Sequence, residues 1–155
     1  MSAAAVIDAL RARGWTVSCA ESCTGGMVAA AITDVPGSSD VFERGFVTYS
    51  NAAKQEMLGV SSESLDAHGA VSEQVAREMA SGALRAASAN VAVAISGIAG
   101  PGGSEHKPEG RVCFAVATSA DMRSETVEFG AIGRANVRSK AMDYALELIL
   151  NAAQS

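Results

Sequence analysis

Aromatic side chains are scarce in this 155-residue chain, at 5% of residues, and proline occurs three times. Basic residues are outnumbered, with 12 Lys and Arg against 17 Asp and Glu, for a net charge of −5. Nucleic-acid surfaces combine a basic stripe with aromatics for stacking, and neither is present, so DNA and RNA are not expected partners. One or two arginines at a cleft could still hold a small anion against the global charge. The three cysteines, Cys19, Cys23 and Cys113, are an odd count without framework spacing, which predicts reduced thiols and a cytoplasmic protein. No run approaches the ~20 apolar residues that span a bilayer, and the first residues lack a basic, then apolar, secretion signal. No membrane partner is expected.

What the chain has in quantity is small and branched aliphatic residues, within a hydrophobic fraction of 48%. Such a composition lets helices approach a sheet closely. The length suits one domain over residues 1–155, able to bury about two-thirds of its unfolded surface.

The spacing predicts a helix over Ala3 to Arg13 ended by Gly14, then a strand from Trp15 to Ala20. A sharp turn at 21–26 leads into an apolar helix from Met27 to Ile32. After the Pro36–Ser39 turn, Phe42 to Ser50 reads as a strand, followed by short helices around Ala52–Leu58 and Ser62–His68. Ser72 caps a long amphipathic helix running to about Ser88. Val91 to Ile95 has the apolar run of a buried strand. Residues 96–110 hold five glycines and two prolines without periodicity, as a loop does. Arg111–Ser119 and Ser124–Ile132 read as paired strands, and Val137 to Ile149 as part of an amphipathic C-terminal helix. The alternation predicts an α/β fold: a three-layer α/β/α sandwich around a mixed sheet, without internal repeats.

Three stretches could carry chemistry. In Glu21-Ser22-Cys23-Thr24-Gly25-Gly26 a strand-to-helix turn would expose a hydroxyl beside unpaired N–H groups able to hold an oxyanion. Glycines there would let a substrate approach the backbone. The alternative is that Ser22 or Thr24 merely caps the helix. A serine nucleophile needs a base, and the chain has two histidines, His68 and His106. Lys54, early in a short helix among Ala52, Ala53 and Met57, could serve if burial depressed its pKa; otherwise it is a surface lysine. The loop Ser96-Gly97-Ile98-Ala99-Gly100-Pro101-Gly102-Gly103-Ser104 follows a buried strand, where open α/β sheets bind ligands. It matches neither a Walker A loop nor a dinucleotide fingerprint, but its amides could line a pocket. Otherwise it is a flexible surface loop.

Arg134 and Arg138, one turn apart, could grip a phosphate, or could both be solvated. A zinc site built from Cys19, Cys23 and a histidine fits no common spacing, so no metal is expected. Cys19 and Cys113 read as small buried hydrophobes, and Cys23 as a weaker nucleophile candidate.

From Ala4 to Ala152 the chain resembles the CinA C-terminal domain family, the nicotinamide-nucleotide amidohydrolases, in a stand-alone form. The resemblance is carried by four blocks in order: Ala20 to Gly26; Phe46-Val47-Thr48-Tyr49-Ser50-Asn51 with Lys54; His68-Gly69-Ala70-Val71-Ser72-Glu73; and Ser96 to Pro101. It implies conversion of nicotinamide mononucleotide to nicotinate mononucleotide and ammonia, without metal or organic cofactor. It implies Ser22 as nucleophile and Lys54 as base, raises Tyr49 as a site residue, and suggests a homodimer. On this reading, backbone N–H groups from Cys23 to Gly25 hold the oxyanion, and Cys23, Thr24, Gly25, Gly26, Gly97 and Gly100 contact substrate. Arg138 comes first and Arg134 second as phosphate anchor. Two other readings stay open: a non-catalytic pyridine-nucleotide-binding module using the Gly97–Gly103 loop, and an interaction protein of competence or damage response.

Overall fold

Alternation of bulk along the central strands decides how the layers stack. In the computed structural model, which describes residues 2–155, strand β3 (Val91–Gly97) sends Val91, Val93 and Ile95 into one core and Ala92 and Ala94 into another. Strand β4 (Arg111–Thr118) repeats this, with Val112, Phe114 and Val116 on the first face and Cys113, Ala115 and Ala117 on the second. A strand's period of two makes one face bulky and the other shallow.

Helices α1 (Ala3–Arg13), α2 (Met27–Thr33) and α6 (Arg134–Gln154) contribute to the bulky core through Ile7, Leu10, Ile32, Leu146 and Ile149. Helices α3 (Asn51–Leu58), α4 (Ser62–His68) and α5 (Glu73–Ala87) contribute to the shallow one. There α5 presents Ala76, Met79, Ala80 and Ala83. Its Gly82 is required by close approach, because a Cβ at that position would lie 2.0 Å from the Leu58 carbonyl oxygen. The three-layer sandwich follows.

The five strands are ordered β2-β1-β3-β4-β5, where β1 is Val17–Glu21, β2 is Phe46–Val47 and β5 is Met122–Glu128. Strands β1, β2 and β3 run parallel, while β4 and β5 continue as an antiparallel hairpin. The chain leaves β1 towards β2 on one side and reaches β3 on the other, so β1 ends at a topological switch point. Crevices at such points are where open α/β sheets hold ligands.

Several boundaries differ from the sequence expectation: β5 ends at Glu128 and not at Ile132, and β3 runs on past Ile95 to Gly97. The strand expected over Phe42–Ser50 is reduced to Phe46–Val47, with an isolated bridge from Phe42 to Val17. Between them Gly45 passes against Cys19, and Ser18 donates to the Arg44 carbonyl, which takes that backbone out of the ladder. Strand β1 starts at Val17 because Trp15 lies outside it, under the Arg13 guanidinium, 3.8 Å from the ring centroid. The hairpin closes earlier than expected: the Thr118 hydroxyl accepts the N–H groups of Ala120 and Asp121, so β5 begins at Met122.

Candidate active site

The turn after β1 is built by a carboxylate. Glu21, fully buried at the strand's end, accepts N–H bonds from Gly26 (3.2 Å), Val28 (3.0 Å) and Ala29 (3.0 Å). It thereby satisfies donors that the first turn of α2 leaves unpaired. The Cys19 thiol donates to the same carboxylate at 3.6 Å, and burial together with Glu21 pushes that thiol well up. Neither Ser22 nor Thr24 caps α2 with its side chain. The turn needs Gly25 and Gly26 at φ +57° and +108°, and a Cβ on Gly25 would also sit 3.1 Å from Arg138 Nη2.

With Glu21 doing the capping, Ser22 is left as the turn's projecting hydroxyl. Its N–H is pinned to the Ile95 carbonyl of β3 at 3.0 Å, and its Oγ lies 2.9 Å from Lys54 Nζ. The lysine comes from the first turn of α3, whose start is capped by Ser50 through the Ala53 N–H. Its amine also donates to the carbonyls of Thr48 (2.8 Å) and Tyr49 (3.4 Å). Those carbonyls are presented here because the Thr48 N–H is held by the Glu21 carbonyl at 2.7 Å.

Lys54 is 1% exposed, and no carboxylate bonds to its amine. Burial lowers its pKa to about 8, partly opposed by Cys23 and by Glu105, which favour the charged form. A neutral amine has two N–H bonds and one lone pair. With the N–H groups on the two carbonyls, the lone pair faces Ser22, which is the arrangement a general base needs.

Ser22 and Lys54 open into a cavity of about 190 Å³, lined further by Cys23, Tyr49, Ala70, Val71, Ser96, Gly97, Ala99 and Arg134. Buried Ser96 fixes the far wall by donating to the Ala70 carbonyl at 2.7 Å. Lys107 clamps the same segment through the carbonyls of His68 (2.6 Å) and Val71 (2.7 Å). At the mouth, Arg134 donates to the Gly100 carbonyl (2.7 Å) and to the Tyr49 hydroxyl (3.0 Å), tying three segments together. Two larger hollows of about 510 and 480 Å³ flank the β4–β5 hairpin, but neither contains Ser22 or Lys54. Chemistry, not size, selects the site.

The CinA C-terminal domain family matches residues 1–153. This chain belongs to that family. It is 59% identical over 143 residues to the nicotinamide-nucleotide amidohydrolase PncC of Escherichia coli K12, covering 92% of this chain and 87% of the relative. To the nicotinamide-nucleotide amidohydrolase PncC of Enterobacter agglomerans it is 58% identical over 144 residues, with the same coverage. Among solved structures, the competence/damage inducible protein CihA of Agrobacterium tumefaciens superposes with a TM-score of 0.94 at 47% identity, covering 99% of this chain and 93% of that one. With such identity over most of both chains, this CinA-domain protein is an amidohydrolase. No helix among the described residues is long and apolar enough to cross a membrane.

Within this CinA domain, the structure brings Ser22, Cys23, Tyr49, Lys54, Gly97 and Arg134 around one cavity. Gly100 joins through its carbonyl on Arg134. Arg138, expected to lead on the phosphate, does not line the cavity; its Nε and Nη2 donate to the carbonyls of Cys23 (3.0 Å) and Thr24 (3.4 Å) behind the turn. The expected oxyanion donors also change. The Gly25 N–H already donates to the Ser22 carbonyl, and that of Gly26 to Glu21. The N–H groups of Cys23 and Thr24 donate to no carbonyl among the described residues. The Thr24 hydroxyl is buried without a partner among those residues.

Cys23 loses its standing as a rival nucleophile. Burial pushes its thiol up to about 11, against the N–H groups of Cys23 and Gly97 and the charges of Arg138 and Lys54, so it is protonated at neutral pH. Sequence reasoning missed Glu21, Thr48, Ser96 and Lys107. Glu21 carried a readable signal: a carboxylate immediately before the candidate nucleophile Ser22, ahead of a helix with no acid in its first turn.

Proposed function

We propose that this amidohydrolase converts nicotinamide mononucleotide to nicotinate mononucleotide and ammonia through an acyl-enzyme on Ser22. The observation that carries the reading is the buried Ser22–Lys54 contact at 2.9 Å, with both remaining amine partners being carbonyls. The substrate is drawn from the names of the PncC relatives, which act on nicotinamide nucleotides.

Neutral Lys54 takes the Ser22 proton as Oγ bonds to the carboxamide carbon. The negative oxygen that results is held by the N–H groups of Cys23 and Thr24; one such donor is commonly worth about 3–4 kcal/mol. Protonated Lys54 returns its proton to the amide nitrogen, the C–N bond breaks and ammonia leaves. Water, deprotonated by the same amine, attacks the ester and frees Ser22. The cavity of about 190 Å³ is smaller than the roughly 300–1,000 Å³ typical of sites enclosing whole drug-sized ligands. It takes the pyridine carboxamide and leaves the ribose phosphate at the mouth, against Arg134 and Tyr49.

Three free cysteines support the cytoplasm as the place of this reaction. Exposed Val47, Tyr49 and Met57, on and after edge strand β2, support a homodimer, checked by light scattering on the purified chain. The experiment for the activity is ammonia release from nicotinamide mononucleotide, run beside Ser22→Ala. Release abolished in a folded Ser22→Ala chain is expected; undiminished release would remove Ser22 from the reaction.

A further inference from the structure

Lys54 has no counter-charge within hydrogen-bonding distance. Its amine is fully satisfied as a neutral group by the carbonyls of Thr48 and Tyr49, and its third contact is the Ser22 hydroxyl. The charged and titratable groups facing it can be named from every side. They are Cys23 on the turn, the Tyr49 phenol directed at Arg134, Glu105 on the 98–110 loop, and Arg134 on α6. The 68–72 segment and β3 contribute Ala70, Val71 and Ser96 to the cavity, without charge. Glu105 is exposed, so the enclosed space around Nζ holds no fixed anion.

We propose that Lys54 reads the ring charge of its substrate: seating a pyridinium carboxamide in this cavity drives the proton off the lysine, arming the base for cationic substrates and not for neutral ones. The inference rests on the reading of the substrate given above. Attack requires the carboxamide carbon about 3–3.5 Å from Ser22 Oγ. The ring nitrogen lies meta to the carbon bearing the carboxamide, so its positive charge comes within roughly 6 Å of Nζ. At an effective dielectric of about 20, two like charges at that separation move the lysine's titration down by about two pH units.

The free amine titrates near pH 8, so most of it is protonated at neutral pH. A bound pyridinium brings it below 7, and binding then releases about 0.8 proton per site at pH 7. The proton leaves without orphaning a buried donor, because the two carbonyls keep the two remaining N–H bonds. A neutral ring leaves Lys54 protonated and Ser22 without its base. Selection among carboxamides is thus made on the base itself.

The test uses the Ser22→Ala chain and calorimetry between pH 7 and 9.5, with nicotinamide mononucleotide and its reduced, uncharged-ring form. The phosphate is common to both ligands and cancels. Affinity for the oxidised ligand should rise about tenfold over this range with proton release into the buffer, while the reduced ligand changes by less than twofold. Lys54→Met in the same background should abolish the difference. Equal pH dependence for both ligands, or dependence that survives Lys54→Met, overturns the inference. Should Ser22→Ala bind neither ligand, the wild-type pH profiles decide: the acid limb of kcat must lie at least one pH unit below that of kcat/KM, and coincident limbs overturn it. Absence of ammonia release from wild type overturns the underlying reading as well, whereas release with coincident limbs overturns this inference alone.

Discussion

Lys54 Nζ and Ser22 Oγ lie 2.9 Å apart although 32 residues separate them in the chain. Each is delivered by the C-terminal end of a parallel strand, β1 for the serine and β2 for the lysine. Adjacent strands run about 4.8 Å apart, so residues just past neighbouring strand ends meet without long loops. Because the base must be unprotonated, kcat/KM should climb about tenfold per pH unit below 8 and level off above it, following the lowered value near 8. A rate profile in matched-ionic-strength buffers checks this. A flat profile from pH 6 to 9 would mean that some other group takes the proton.

The same burial has a stability cost with a definite sign. Lys54 titrates at 10.5 when free and near 8 in the fold, so between those values the unfolded chain binds more protons. Stability contributed by this site therefore rises with pH across that window. Below pH 8 the penalty is present in full, on the order of 3 kcal/mol; above 10.5 it has vanished. Lys54→Met should be catalytically dead. Its stability relative to wild type should be greatest at pH 7 and shrink by about 3 kcal/mol as pH approaches 10.5. Urea unfolding of both proteins at several pH values measures it. A difference independent of pH would show that the lysine titrates in the fold as it does in the unfolded chain, so that burial does not lower its value.

Glu21 acts on the reaction through the turn it holds. Replacing it with glutamine keeps the shape but puts an NH₂ against backbone N–H groups that now have three bonds to the carboxylate. Losing charge-assisted bonds at a buried site costs about 2–4 kcal/mol. The Ser22 turn is also released, and misplacement by about 1 Å can lower a rate about a hundredfold. Glu21→Gln should therefore lower both the unfolding midpoint and kcat, while Glu21→Asp, too short to reach α2, should not rescue either. An unchanged midpoint would mean the carboxylate is not what organises this helix start.

How far the sequence was legible depends on whether the deciding force was local. The glycine pair at 25 and 26, the Ser72 cap and the Gly59 and Gly69 stops are local, and each marks a boundary read from the sequence. The nucleophile turn could be placed for the same reason. What local patterns cannot show is which side chain wins among several capable of one task. Glu21 takes the cap that Ser22 or Thr24 could have taken, because a buried carboxylate can accept three N–H groups at once. Lys54 looks like a surface residue in its own helix, and only the packing of α3 under the Ser22 turn buries it. The Phe42–Ser50 stretch has strand-like residues throughout, yet the approach of Gly45 to Cys19 cuts it to two paired residues.

Arg134 and Arg138 separate two roles that share one helix turn in the sequence. Arg138 spends its guanidinium on the carbonyls of Cys23 and Thr24, the first of which shares its peptide unit with the Thr24 N–H assigned above to the oxyanion. Arg134 stands at the cavity mouth, bonded to the Gly100 carbonyl and the Tyr49 hydroxyl, both of which an incoming phosphate can displace. Arg138→Ala should then lower kcat about tenfold or more with little change in KM, because the lost contacts position transition-state donors. Arg134→Ala should raise KM for nicotinamide mononucleotide about 10–100-fold with kcat nearly unchanged, the loss expected for one charge-assisted contact of about 1.5–3 kcal/mol. Nicotinamide riboside, which carries the same ring cation without the phosphate, supplies the control: its kinetics should be indifferent to Arg134 and sensitive to Arg138. If Arg138→Ala instead raises KM for the phosphorylated substrate and spares the riboside, the phosphate lies behind the turn, and Arg134 is no more than a tie between the Tyr49 and Gly100 segments.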